Sequence, residues 1–272
     1  MDRLKRNERL GAMSRILTSS PNRIYTLSHF ADLFGAAKST VSEDVSILSD
    51  TFRQFDLGQM ITVAGAAGGV MFRPIPSRER AKRTIAAIAE KLSQPGRLLP
   101  GDFLYTTDVT CDSVLSEAMG EILAAKYYEL SPNFVLTLET KGIPVAMMTA
   151  RMLNVPLVIA RRDSRAYEGS AVKINYIDAS NNIETMTLAR RAVKSGQRAL
   201  IIDDFTKGGG TLRGMHDLMA EFDVEVVGTG VVVATAEPRK KRIAGVNALM
   251  ILQSVDEDTA SAKVVPSAWV EE

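Results

Sequence analysis

The run Leu200-Ile201-Ile202-Asp203-Asp204-Phe205-Thr206-Lys207-Gly208-Gly209-Gly210-Thr211 concentrates the chemistry of this 272-residue chain. An apolar strand runs into two adjacent acids, then into a glycine-rich turn that opens a helix at Thr211. Such a turn presents backbone N–H groups at a helix N-terminus, whose partial positive charge favours phosphate, and its glycines let the backbone approach closely. Asp203 and Asp204 would repel a dianion unless they contact something else. Sugar hydroxyls are their natural hydrogen-bond partners, and Mg²⁺ could bridge nearby. Hydroxyls beside a phosphate describe a ribose phosphate. The three glycines alone read as well as an ordinary turn; the strand and the acids give the run its specificity.

A second basic feature lies at the N-terminus. Residues 1 to 23 carry Arg3, Lys5, Arg6, Arg9, Arg15 and Arg23 against only Asp2 and Glu8. Over the whole chain 33 Lys and Arg nearly cancel 32 Asp and Glu, so nucleic-acid affinity must come from such local clustering. The single cysteine, Cys111, can form no internal disulfide, fits a reducing compartment, and reads as a buried small hydrophobe. No apolar run approaches the roughly 20 residues of a membrane span, and the charged N-terminus lacks a following apolar segment, so the expected location is cytoplasmic with no membrane partner. His29 and His216 are isolated and read as structural, and no metal site is expected.

The elements that must position these residues follow from periodicity. Leu4, Leu10, Met13, Ile16 and Leu17 fall close to one stripe of a first helix over residues 3–19, with arginines on the other face. A second short helix runs from about Thr26 to Phe34 and is capped by Gly35. Val41, Val45, Leu48 and Phe52 mark a third, with Ser39 able to cap its start. Met60-Ile61-Thr62-Val63 and Val70-Met71-Phe72 flank a glycine-tipped hairpin. Three helices and a two-stranded hairpin are the order of a winged helix-turn-helix domain.

Pro74-Ile75-Pro76 suggests a boundary, giving domains of 1–74 and 75–272. A helix is expected from Arg78 to Leu92. Beyond it, apolar runs at Val135–Leu138, Leu157–Ile159, Ala199–Ile202 and Val226–Val233 alternate with helical patterns at Ser113–Tyr128, Pro144–Leu153, Met186–Lys194 and Thr211–Glu221. The alternation indicates an α/β domain with a doubly wound parallel sheet.

The strand, acid pair and Gly-Gly-Thr turn resemble the phosphoribosyl-pyrophosphate (PRPP) motif of type I phosphoribosyltransferases. The resemblance implies that Asp203 and Asp204 hold ribose hydroxyls while Phe205 to Thr211 cradle the 5′-phosphate. Glu139-Thr140-Lys141-Gly142-Ile143 is similar to that family's pyrophosphate loop, which would turn the backbone and Lys141 toward the diphosphate; alone it reads equally as a strand-to-helix turn with a solvated lysine. The stretch from Arg161-Arg162 through Glu168-Gly169-Ser170 to Tyr176 and Asn182 resembles the family's flexible arm, or else forms a plain surface hairpin. Lys207 and Gly208 stand where many purine-type enzymes of the class carry a small residue and then threonine, which weakens the case for transfer chemistry. Phe103, Tyr105 and Phe205 could stack on a base, although aromatics are more often core.

A winged helix joined to such a domain resembles the purine-operon repressors of Gram-positive bacteria. The likeness runs through Ala37–Asp44, the hairpin Val63–Val70, Leu99-Pro100-Gly101, Thr140–Pro144 and the Asp203–Thr211 loop. It thins after Glu237, where Arg239-Lys240-Lys241-Arg242 reads as a solvated face. The resemblance implies a homodimer that represses purine biosynthesis and transport genes on double-stranded operator DNA. PRPP would be the inducer and guanosine tetraphosphate the opposing signal at the same pocket, while the acid pair leaves open whether Mg²⁺ accompanies PRPP. No cofactor is otherwise required and no catalytic residue is assigned. Lys38, Ser39, Thr40 and Ser42, at the start of the recognition helix, would meet phosphates and base edges, with Arg3 and Arg6 on the backbone. Two rival readings remain: an active purine phosphoribosyltransferase, and a DNA-binding protein whose second domain serves only as a dimer platform.

Overall fold

The computed structural model describes residues 4–65, 68–99, 103–163, 169–178, 182–256 and 261–271. Its N-terminal part is built from α1 (Arg6–Ser19), α2 (Leu27–Phe34), α3 (Lys38–Gln54), β1 (Gln59–Val63) and β2 (Gly69–Arg73). The 3–4 spacing of apolar residues does what it promised. Met13 and Leu17 from α1, Phe30 and Phe34 from α2, and Val41, Leu48 and Phe52 from α3 close on Val70 and Phe72 of the antiparallel β1–β2 hairpin. Thr26 accepts the His29 N–H at the start of α2, and Gly35 ends that helix at φ 59°, a conformation costly for any side chain.

Two expectations here need correction. Ala37, not Ser39, is the N-cap of α3, and it supplies no side-chain cap, so Ser39 lies within the first turn. The arginines of α1 do not all face outward: Arg9 is buried against a buried Asp44 of α3.

The remainder comprises α4 (Arg78–Leu92), the two-residue pair β3 (Leu98–Leu99) and β4 (Phe103–Leu104), α5 (Thr107–Thr110), α6 (Ser113–Tyr127), β5 (Phe134–Leu138), α7 (Ile143–Leu153) and β6 (Leu157–Ala160). It continues with β7 (Ala171–Ile177), β8 (Ile183–Ala189), β9 (Arg198–Thr206), α8 (Gly210–Ala220), β10 (Glu225–Thr235), β11 (Val246–Asp256), β12 (Ser261–Pro266) and α9 (Ala268–Glu271). By internal packing the chain divides into Met1–Ser77 with Arg151–Asn154, and Arg78–Ala150 with Val155–Glu272.

The main sheet has the order β12-β11-β10-β9-β5-β6 and is parallel except for β12, which pairs antiparallel with β11 at one edge. Val135, Leu136, Leu200, Ile201 and Ile202 are fully buried, as continuous apolar runs in a covered parallel sheet must be.

A helix is expected over Met186–Lys194, but over Met186–Ala189 it is instead the second half of strand β8, and residues 190–194 are turn and irregular chain. The strand pairs residue for residue with β7, from Ala171↔Ala189 to Ile177↔Ile183. The spacing of Met186, Ala189 and Val193 imitates a helix, but Thr185 and Thr187 favour the strand and the hairpin partner decides it. Cys111 is exposed just past α5, not buried, because that short helix turns its Val109 and Thr110 inward. The segment after Glu237, to which the sequence assigned no element, supplies β11 and β12. Edge strand β12 is fixed to α4 by Ser93, whose Oγ accepts the Val264 N–H at 2.9 Å. Among the described residues no helix is long and apolar enough to cross a membrane.

Candidate effector and nucleic-acid sites

Strands β5 and β9 are neighbours, but α7 carries the chain from β5 outward to β6 while α8 carries it from β9 the opposite way to β10. The strand order therefore reverses between them, which is where open α/β sheets hold ligands, beyond the carboxyl ends of the strands. A cavity of about 470 Å³ opens there. Leu138, Glu139, Thr140 and Lys141 line it from the end of β5, and the whole run Asp203–Thr211 lines it from the end of β9. Phe103, Arg162 and Asp178 complete its wall.

Every candidate effector residue except Gly142 lines this cavity, and Gly142 lies directly behind it. A Cβ there would stand 2.7 Å from Thr137 Oγ1 and 2.8 Å from Asp203 Oδ1, so only glycine lets the two loops meet. Gly210 is constrained likewise: a Cβ would fall 2.0 Å from the Ile177 carbonyl oxygen at the end of β7. That contact is what lets the arm hairpin lie against the first turn of α8.

Asp203 is buried, and its Oδ1 accepts the Asp204 N–H at 3.0 Å. Burial pushes the Asp203 carboxyl well above the usual carboxylate range, and the neighbouring Asp204 charge pushes it further. Burial also raises Asp204, against the downward pull of its hydrogen bond with Asp203 and of the Lys141 charge. Two acids held this way, which Lys141 and Arg162 offset only in part, are poised to accept hydrogen bonds from hydroxyl donors or to meet a cation. The turn that follows opens α8 at Gly210, so amide groups and the helix dipole face an anion placed beside the acids. The arrangement suits a phosphorylated sugar.

The candidate set omitted Glu139, Arg162 and Asp178. Glu139 is pinned by the Arg161 guanidinium and the Arg162 N–H, each at 3.0 Å, and Arg162 reaches Glu184 at 3.3 Å. Their place in the pyrophosphate-loop and arm segments was a usable signal. Asp178 shares the arm signal, between Tyr176 and Asn182, but only the folding back of the β7–β8 hairpin brings it to the cavity. Tyr105 does not line the cavity; Phe103, exposed, and Phe205, half-buried, are the aromatic residues that do.

In the N-terminal unit Lys38, Ser39 and Ser42 are exposed and Thr40 half-buried in the opening turns of α3. With no side-chain cap at Ala37, the first amides of α3 are available to a phosphate oxygen. Arg6 is more than half exposed yet donates to Glu43 at 3.1 Å. Arg9 Nε and Nη2 clasp Asp44 at 2.7 and 3.2 Å, while Nη1 donates to the Leu4 carbonyl. The Asp44 hydrogen bond raises the Arg9 pKa, so the guanidinium is held charged. Arg9 thus bolts α1 to α3 instead of facing DNA. Arg3 and the hairpin tip at Ala66 and Ala67 lie outside the described residues.

Fold and cavity define the class: a phosphoribosyltransferase-type α/β domain carrying an N-terminal winged helix. The sequence matches the family models "Bacterial purine repressor, N-terminal" over residues 5–74 and "Phosphoribosyl transferase domain" over residues 113–264. It is 37% identical to the purine biosynthesis transcriptional repressor PurR of Bacillus subtilis (strain 168), over 96% of this chain and 92% of that protein. It is 38% identical to the purine biosynthesis transcriptional activator PurR of Lactococcus lactis subsp. lactis (strain IL1403), over 84% of each. An adenine phosphoribosyltransferase from Thermoanaerobacter pseudethanolicus shares the fold, with a TM-score of 0.54 at 20% identity over 61% of this chain and 98% of its own. The chain belongs to the bacterial purine repressor family, PurR.

Proposed function

We propose that this protein is a homodimeric transcriptional repressor of purine biosynthesis and transport genes that senses PRPP without consuming it. The winged helix binds double-stranded operator DNA through the start of α3. PRPP, accompanied by Mg²⁺, occupies the cavity at the ends of β5 and β9 and acts as inducer. Guanosine tetraphosphate, whose ribose and phosphates present the same chemistry, competes for that pocket. The observation that carries this reading is the joining of a repressor N-terminal domain to a phosphoribosyltransferase-type domain, shared over most of its length with relatives named as purine transcriptional regulators.

A ligand can lower operator affinity only by binding the DNA-free state better. The test is a fluorescence-anisotropy titration onto a purine-gene control region, with and without PRPP and Mg²⁺, using the unmodified chain and Asp203→Ala/Asp204→Ala. Tight DNA binding that PRPP releases only from the unmodified chain supports the sensor. Non-specific binding indifferent to PRPP rejects it.

A second reading, an active purine phosphoribosyltransferase, is favoured by the coexistence of the acid pair, the phosphate turn and the Thr140–Gly142 loop around one cavity. Formation of purine nucleotide from PRPP at an ordinary enzyme rate would decide for it.

A further inference from the structure

We propose that Lys241, on the loop between β10 and β11, is a positioning residue that orients the phosphate turn of the cavity; the inference rests on the reading of that cavity as a ribose-phosphate site. The basic run Arg239-Lys240-Lys241-Arg242 reads in sequence as a solvated face. In the fold Arg239, Lys240 and Arg242 are exposed, but Lys241 turns inward. Its ammonium donates to the Lys207 carbonyl at 2.6 Å and the Thr235 carbonyl at 2.8 Å, with Thr235 Oγ1 at 3.3 Å and the Pro238 carbonyl at 3.4 Å. Three N–H donors are thus met by oxygens of the strand before the loop, of the loop itself and of the phosphate turn. One residue on, the Arg242 N–H donates to the Gly208 carbonyl at 2.9 Å. The Ile243 side chain lies beneath Gly209, where a Cβ would be 3.3 Å from Ile243 Cγ2.

The consequence follows from peptide planarity. In a trans peptide the carbonyl and the N–H of the next residue point in opposite directions. Holding the Lys207 and Gly208 carbonyls against the β10–β11 loop therefore turns the Gly208 and Gly209 N–H groups away from that loop. Both residues line the cavity on the other side. Gly208 carries no steric constraint of its own, since a Cβ there meets nothing within 4 Å, so local packing does not fix this peptide. Lys241 and the Arg242 amide hold it, with the Thr235 hydroxyl a longer donor to the same Lys207 carbonyl at 3.3 Å. Burial also lowers the Lys241 pKa, in keeping with an ammonium held inside a ring of carbonyls instead of in water.

The split between the two halves of the ligand provides the test. Ribose 5-phosphate needs the Asp203–Thr211 loop, whereas pyrophosphate needs the Thr140–Gly142 loop. Calorimetric titration of each onto the full-length chain compares the unmodified protein with Lys241→Met, the milder Lys241→Gln, and Lys240→Met, which removes an equal charge from the exposed neighbour. The expected result is a ribose 5-phosphate affinity weakened about tenfold in Lys241→Met and less in Lys241→Gln, the scale of one charge-assisted hydrogen bond. Pyrophosphate affinity should hold in both, and Lys240→Met should match the unmodified chain for ribose 5-phosphate. Unchanged ribose 5-phosphate binding in Lys241→Met overturns the positioning role. Equal loss of both ligands, or equal loss in Lys240→Met, also overturns it, by showing a general structural or charge effect. If the unmodified chain binds no ribose 5-phosphate, the site reading itself falls and this inference with it.

Discussion

On the proposed reading, the cavity and the start of α3 would recognise phosphate by opposite means. The cavity is built from backbone and buried acids. Asp203 is buried, Gly142 and Gly210 have no room for a side chain, and the phosphate turn is braced from behind by Lys241. The face of α3 is built from exposed side chains, Lys38, Ser39 and Ser42, on a helix whose first amides are uncapped. In the cavity, strain sits in the binding residues themselves, as two adjacent carboxyls driven upward by burial. In the N-terminal unit the candidate DNA-facing residues are exposed, and the buried charge sits one layer below, in the Arg9–Asp44 pair. A site for one small ligand can fix its geometry in advance, while a DNA face can leave its side chains mobile if the helix beneath is held rigid.

Arg9→Met tests the second half of that contrast and should have the largest effect on stability. It removes both hydrogen bonds that Arg9 gives the buried Asp44 carboxylate and leaves it only the half-exposed Arg6 guanidinium at 3.7 Å, a loss on the order of 3 kcal/mol. Urea denaturation should show it, and Arg9→Met/Asp44→Leu should recover most of it because no charge is then stranded. A single substitution costing less than about 1 kcal/mol, the scale of a surface pair, would show that the bolt between α1 and α3 is not structural.

Asp203→Asn tests the first half and should act in the opposite direction on stability. A carboxyl whose folded pKa lies above its unfolded value contributes stability that is fully present below the unfolded value, about 3.9, and lost as pH rises through the folded one. Asp203 is such a group. The unliganded protein should therefore lose stability as pH climbs from about 4 toward neutrality, and Asp203→Asn should flatten that decline while weakening PRPP binding roughly 10- to 100-fold. Thermal melts across pH, paired with calorimetry, check both arms. A variant that melts lower at neutral pH would show that Asp203 is structural and the cavity is not strained for function.

The same contrast governs what could be read from sequence. The phosphate turn was legible because backbone chemistry demands particular residues in a fixed order: apolar strand, acids, glycines, helix start. The winged helix was legible from the spacing of Val41, Val45, Leu48 and Phe52. What escaped depends on tertiary neighbours. Arg9 looks like its exposed neighbours until Asp44 arrives from α3, and Lys241 looks solvated until the β10–β11 loop folds beneath Lys207. Strand β8 looks helical until β7 pairs with it, and Asp178 reaches the cavity only through that pairing. Residues whose role lies in their own backbone announce themselves; residues whose role lies in a partner do not.

The smallest expected effect on stability sharpens the comparison on the DNA side. Lys38 is exposed, and among the described residues no ion pair holds it in the way Glu43 holds Arg6, so Lys38→Ala should change stability by no more than about 0.5 kcal/mol. If Lys38 meets a phosphate, its loss should weaken operator and random DNA alike and reduce the slope of log affinity against log salt by about one. Arg6→Ala should reduce that slope less, because its guanidinium is already shared with Glu43, whose charge DNA would also have to tolerate. Titrations at several salt concentrations on matched operator and scrambled duplexes measure both slopes. Should Arg6 carry the larger share, the phosphate-contacting cation belongs to α1, and the Arg9–Asp44 bolt would then be aligning a DNA-contacting helix instead of merely supporting one.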